Sequence, residues 1–156
     1  MELKTKVQAE DGKQSIFINR EFELPVELLF RGYVEPEIVE QWMGTKVLKL
    51  ENKKHGSYQF ETTDSKGNKH GFNGTIHDFI PNQKITRTFE MENTPFGVQL
   101  EFLEFERLTD ETSNLAIQIV YRTIALRDQM LQLPFAQGIN MAHNRLQEIA
   151  KQIGSL

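Results

Sequence analysis

Arg87 and His143 are polar side chains standing where an interior residue is expected, and together they limit the chemistry open to this chain. Arg87 shares strand parity with Ile85, Phe89 and Met91, so regular alternation points its guanidinium inward. An unpaired charge there would be very costly. Its partner is then a ligand carboxylate or phosphate held bidentately, or an internal acid such as Asp78 or Glu61; a snorkelling route to solvent is a third answer. His143 follows Ile139 by four residues and precedes Leu146 by three, at the margin of an apolar helical stripe. An imidazole there can hydrogen-bond a ligand or exchange a proton near neutrality, or it can be a satisfied edge histidine.

Other chemistries find less support. His70 and His77 are seven apart on one expected strand and so point to opposite faces, while His55 falls in a turn; no zinc-ligand spacing results. The chain has no cysteine, which removes disulfides, thiolate sites and a cysteine nucleophile together. Ser57, Ser65, Ser113 and Ser155 lack a G-x-S-x-G setting, and no glycine-rich phosphate loop is present. Glu101, Glu104 and Glu106 read as a solvated outer face or edge. No metal and no cofactor are expected.

The elements that must position Arg87 and His143 are legible from periodicity. Residues 16–22 read as a strand, and residues 3–9 alternate loosely, so residues 1–13 supply either an extra strand or a mobile arm. Pro25 opens a short helix carrying Val26, Leu29, Phe30 and Tyr33; Pro36 opens another carrying Ile38, Val39, Trp42 and Met43, which Gly44 ends. Six β-rich runs follow, at 47–53, 57–63, 70–80, 84–92, 97–108 and 113–123, joined by turns of hairpin length. The expected sheet is an antiparallel meander with one dry face, carrying Tyr58, Phe60, Phe72, Ile76, Ile85, Phe89, Met91, Val98, Leu100, Phe102, Leu115, Ile117, Ile119 and Tyr121. Thr86, Thr88, Glu90, Gln99, Glu101 and Gln118 form the wet face. Alternation slips between Phe102 and Phe105, as a β-bulge would cause. The chain closes with a helix whose stripe is Phe135, Ile139, Ala142, Leu146, Ile149 and Ile153, with Asn140, Asn144 and Gln147 toward water. Leu133-Pro134 sets residues 124–132 apart as a short lead-in and bounds the long helix at 134–153.

At 156 residues with 38% hydrophobic content, the chain suits one domain, spanning residues 1–156, that buries roughly 70% of the surface its unfolded form exposes. Phenylalanine leads the aromatic content, with 11 residues against 3 tyrosines and 1 tryptophan, and points to a bulky apolar interior. The net charge of −4, with both signs interspersed, is not the basic footprint of a nucleic-acid binder. No signal-peptide core and no run near the roughly 20 apolar residues of a membrane span is found, so a cytoplasmic protein is expected. An exposed strand at residues 3–9 offers an edge for pairing across a dimer.

Strand, two short helices, six-stranded meander and long C-terminal helix, in that order, resemble the α+β helix-grip fold of the START-like (SRPBCC, Bet v 1-like) superfamily. Three stretches narrow the resemblance: Arg20-Glu21-Phe22-x-x-Pro25-x-x-x-x-Phe30 with Pro36-Glu37-x-x-x-x-Trp42-Met43-Gly44, then Phe72-x-Gly74-x-Ile76-x-x-Phe79-x-Pro81-x-x-x-Ile85, and finally Gly138-Ile139 leading to Leu146. They are similar to the bacterial family related to the C-terminal domain of the Hsp90 ATPase activator Aha1. Trp42 is expected at the junction of helix pair and sheet, and Gly74 and Gly138 at close backbone approaches. The chain departs from the family pattern at Met43 and Ile139, where tryptophan is common, and at His143, where an apolar residue is usual.

The resemblance implies a curved sheet gripping the last helix, often with a cavity between them. Carried onto this sequence, the inward positions are Trp42, Met43, Phe60, Phe72, Arg87, Phe89, Phe102, Ile117, Ile119, Phe135, Ile139 and His143. A pocket so lined suits a lipid-, polyketide- or aromatic-like molecule, although buried phenylalanine and isoleucine are also ordinary core. Two further functions follow from the resemblance: a protein-interaction module for an Hsp90-type chaperone, and a cyclase-like enzyme that works mainly by orienting its substrate.

Overall fold

Short polar turns leave each β-rich run little choice but to pair with its neighbour in sequence. The computed structural model, which describes residues 3–155, shows them doing so. Met1 and Glu2, part of the expected N-terminal strand or arm, and Leu156 lie outside the described residues. The elements are β1 (Lys6–Gln8), β2 (Ser15–Phe22), α1 (Val26–Val34), α2 (Pro36–Met43), β3 (Lys46–Leu50), β4 (Ser57–Thr63), β5 (Lys69–Ile80), β6 (Lys84–Met91), β7 (Val98–Arg107), β8 (Ser113–Val120), α3 (Ile124–Leu131) and α4 (Phe135–Gly154). Strands β3 to β8 form the meander; β2 returns beside β8, and β1 beside β2, giving an eight-stranded antiparallel sheet in the order β1-β2-β8-β7-β6-β5-β4-β3. This is the helix-grip architecture expected from the sequence.

Local chemistry explains the boundaries. Pro36 occupies the first turn of α2, and Gly44, in the left-handed region at φ 63°, ends it. Asn82 (φ 64°) and Asn93 (φ 62°) take left-handed conformations in the turns flanking β6, which asparagine tolerates better than most residues. Thr123 caps α3, its hydroxyl accepting from the Leu126 amide at 3.1 Å. A Cβ on Gly74 would run into the Thr88 carbonyl and the Tyr58 ring. Tyr58 uses that gap to donate its hydroxyl to the same carbonyl at 2.6 Å.

Strand β7 corrects the sequence reading. Gln99, Glu101, Leu103 and Phe105 are its buried residues, while Val98 is exposed and Leu100 and Phe102 lie on the outer face. The register through β6 and β8 is unbroken, from Lys84 opposite Glu104 to Glu90 opposite Val98 and from Leu100 opposite Val120 to Arg107 opposite Ser113. No bulge therefore separates Phe102 from Phe105. The apparent slip arises because β7 is apolar on both faces, so hydrophobicity could not reveal its parity. The register shifts lie elsewhere, between Val47 and Lys49 and between Ile76 and Asp78.

The helix pair plugs one end of the curved sheet. Phe30 packs edge-on against Phe79 and Phe105, and Tyr33 against Phe105. Trp42 fills the junction as expected, donating its indole N–H to the Gly32 carbonyl at 2.6 Å. Gly32 has a second role, since a Cβ there would meet the Leu146 side chain; its absence lets α1 approach α4. Leu146 and Ala150 are fully buried on that contact.

A buried polar cluster holds α4 from the other side. Arg20 shares the inward parity of Ile16, Ile18 and Phe22 and donates through Nη1 to Asn144 Oδ1 (2.9 Å), Thr5 Oγ1 (3.1 Å) and Asn140 Oδ1 (3.4 Å). The Thr5 amide also donates to Asn140 Oδ1, at 3.0 Å. Asn140 is thus buried, against the expectation that it faces water, because it ties the N-terminal strand to the helix. Gly138 has nothing near its missing side chain and makes no close approach. His143 is also fully buried, with Nδ1 3.0 Å from Thr5 Oγ1 and its ring edge-on to Phe22. Thr5 Oγ1 thus meets both the Arg20 guanidinium and the imidazole, whose Nε2 has no hydrogen-bond partner among the described residues.

Two outcomes are expected. Gly74→Ala forces backbone and Tyr58 apart and should cost about 1–3 kcal/mol in urea unfolding; unchanged stability would contradict the packing described. Burial, followed by the nearby Arg20 charge, pulls His143 down from 6.5 to about 3. Between those two pH values the unfolded chain binds a proton that the folded chain refuses, so stability is full above the unfolded pKa and is lost as pH falls. Wild type should therefore lose about 1.4 kcal/mol per pH unit below 6.5 that His143→Phe does not lose. Equal losses in the two proteins would refute a buried neutral His143.

Candidate functional site

Helix α4 is held mainly from Asn140 onward, where Asn140, His143, Leu146 and Ala150 are buried. Toward its N-terminus Phe135, Ile139 and Ala142 are only partly buried and face the concave sheet across a pocket of about 410 Å³. Larger depressions of about 560, 630 and 660 Å³ lie at the surface, with lysine, glutamate and glutamine in their walls. The smaller pocket is the better site candidate because it runs into the apolar interior, where ligand contact excludes water.

Among the sequence candidates, Trp42, Met43, Phe60, Phe72, Arg87, Phe89, Ile117, Ile119, Phe135 and Ile139 line this pocket. Two do not. Phe102 is on the outer face of β7, beside Phe17 in an external groove, for the parity reason given above. His143 is turned toward Phe22 and Thr5 rather than into the pocket. The sequence reading missed Gln99, Glu101, Tyr33, Tyr121, Met130 and Leu103, which also line it. For Glu101 a signal existed, because a buried Arg87 requires an acid and Glu101 lies directly opposite in the register of β6 and β7.

Arg87 Nε donates to Glu101 Oε1 at 2.9 Å, and both side chains are about nine-tenths buried. Asp78 and Glu61, the partners considered from sequence, instead face Lys84 at 2.9 Å and Lys69 at 3.7 Å. Gln99 donates to the second oxygen, Glu101 Oε2, at 3.1 Å. The Arg87 guanidinium lies 5.1 Å from the centroid of the Tyr58 ring, within cation–π range. Burial lowers the Arg87 pKa while Tyr58 and Glu101 raise it, and the net direction is upward; the guanidinium stays charged. Burial also pushes the phenols of Tyr33, Tyr58 and Tyr121 above their ordinary value, so they remain protonated.

The walls are otherwise apolar and aromatic. Phe72 and Phe89 stack at 5.7 Å, and Tyr58 lies against Phe60 at 5.2 Å. Thr62 donates to Thr45 at 3.1 Å, and Arg145, partly in solvent, donates to the Trp42 carbonyl at 3.1 Å. Such a site can hold and orient a molecule through shape and a few hydrogen bonds. Among the described residues no group of three or more His, Asp or Glu side chains could hold a metal ion, and no helix is long and apolar enough to cross a membrane.

Solved structures with this fold include a protein of Rhodobacter sphaeroides, at a TM-score of 0.82 and 19% identity over 94% of this chain and 99% of that one. A Mycobacterium smegmatis protein gives 0.82 and 18% over 93% and 95%, and an Arthrobacter aurescens protein 0.83 and 14% over 94% and 91%. These likenesses establish the fold alone. No curated protein matches. The family model described as Activator of Hsp90 ATPase homolog 1-like protein matches residues 23–151, a span that runs from the end of β2 almost to the end of α4, and the chain belongs to that family.

Proposed function

We propose that this protein binds a small hydrophobic molecule between the sheet and the N-terminal half of α4. The observation that carries the reading is a pocket of about 410 Å³ whose walls are mostly apolar and aromatic, with a small convergent polar group at Arg87, Glu101 and Gln99. That combination is typical of sites for small organic ligands. Family membership favours a second reading, recognition of an Hsp90-type chaperone, which a pull-down with the purified chaperone would reveal.

Trp42 lies in the pocket wall and is the chain's single tryptophan, so its fluorescence reports on occupancy. A panel of alkyl and polycyclic aromatic compounds should contain members that change this emission. At a hundredfold excess over Kd they should stabilise the fold by about 2.7 kcal/mol, or about 5–10 °C in Tm for a domain of this size. Ile139→Trp places an indole in the pocket and should abolish the calorimetric binding signal while the protein stays folded. Binding that survives in Ile139→Trp would place the ligand elsewhere, and a panel with no binder would defeat the reading.

A further inference from the structure

The polar end of the pocket is richer in donors than in acceptors. Arg87 has five N–H groups and no acceptor; among the described residues it gives one hydrogen bond, from Nε to Glu101. Glu101 is engaged at both oxygens, by Arg87 and by Gln99. The Tyr121 hydroxyl is buried without a hydrogen-bond partner, although its ring lines the pocket. Strand pairing puts these groups on one patch: Arg87 lies opposite Glu101, and the register that sets Leu100 opposite Val120 brings Gln99 beside Tyr121.

Charge narrows the chemistry further. Glu101 already neutralises Arg87, so an ionised ligand carboxylate at this patch would add a second negative charge beside a buried one, and the other cation of the lining, Arg145, stands on α4 rather than on the strands that build the patch. An uncharged acceptor carries no such penalty. It would also satisfy the orphaned Tyr121 hydroxyl, whose isolation in the interior is unfavourable. We infer that the ligand is an uncharged lipophile bearing a carbonyl oxygen, such as a ketone, ester or quinone, which Arg87 and Tyr121 hold at the sheet end of the pocket. The inference rests on the ligand-binding reading above.

A matched series separates the two ideas: 2-acetylnaphthalene, 2-ethylnaphthalene and 2-naphthoate, alongside 2-dodecanone, 1-dodecene and dodecanoate, each titrated calorimetrically into the full chain. In each series the ketone should bind about tenfold or more tighter than the hydrocarbon and the carboxylate. Tyr121→Phe, which removes a hydroxyl with no partner and so should fold, is expected to erase most of the ketone's advantage over the hydrocarbon. Glu101→Gln frees the Arg87 charge and, where it folds, should turn the preference toward the carboxylate. Equal binding of ketone and hydrocarbon, or tightest binding of the carboxylate, which Arg145 at the pocket wall could pair with, overturns this inference while leaving a hydrophobic site in place. No binding by either series overturns both.

Discussion

The arrangement depends on how α4 is held. A curved sheet with one apolar face needs a cover, but a helix lying flat along the whole of it would fill the concavity. Here the contacts are concentrated toward one end. Gly32 and the buried Leu146 let α1 close on α4, and the Trp42 carbonyl takes a hydrogen bond from Arg145. On the opposite side Arg20 reaches Asn144 and Asn140. These anchors lie from Asn140 onward along α4, while Phe135, Ile139 and Ala142 are only partly buried and line the pocket.

Three buried arginines perform distinct tasks in this molecule, because each finds a different kind of partner. Arg20 and Arg127 are each 2% exposed and Arg87 is 7% exposed. Arg20 is held by neutral oxygens and rests 5.1 Å from the Phe22 ring, so its charge orders polar side chains around it. Arg127 donates to the Glu10 carbonyl at 2.6 Å and to Asp128 at 2.7 Å, which ties α3 to the segment between β1 and β2. Arg87 alone points into the pocket with a carboxylate beside it. A buried ion pair contributes little net stability against an apolar replacement of the same volume, so the main effect of this one is to place charge and hydrogen-bonding groups in an otherwise apolar wall.

Most of the fold was legible because its signals are local. Prolines at helix starts, Gly44 at a helix end, short polar turns and the stripe of α4 each depend on a few neighbouring residues. The site was legible where one face of a strand is apolar and the other polar, as on β6 and β8, and failed on β7, where Leu100 and Phe102 outside mimic Leu103 and Phe105 inside. Parity on such a strand is set by its neighbours. The demand that Arg87 find an acid could have settled it, since placing Glu101 inward moves Gln99, Leu103 and Phe105 inward with it and sends Phe102 out. The buried state of Arg20 was also available, from its parity with Ile16, Ile18 and Phe22. His143 was harder: periodicity placed it near the stripe, but its direction depends on Thr5, 138 residues away in sequence.

Both positions at which the chain departs from the family resemblance by lacking a tryptophan, Met43 and Ile139, line the pocket. Each puts a smaller side chain where an indole would extend into the same space. Both residues come from helices, whereas the polar patch is built from strand residues whose direction is dictated by register. The two kinds of lining are therefore separable in physical terms: substitutions at 43 and 139 change the size and shape of the pocket, and those on β6, β7 and β8 change the polar groups it presents.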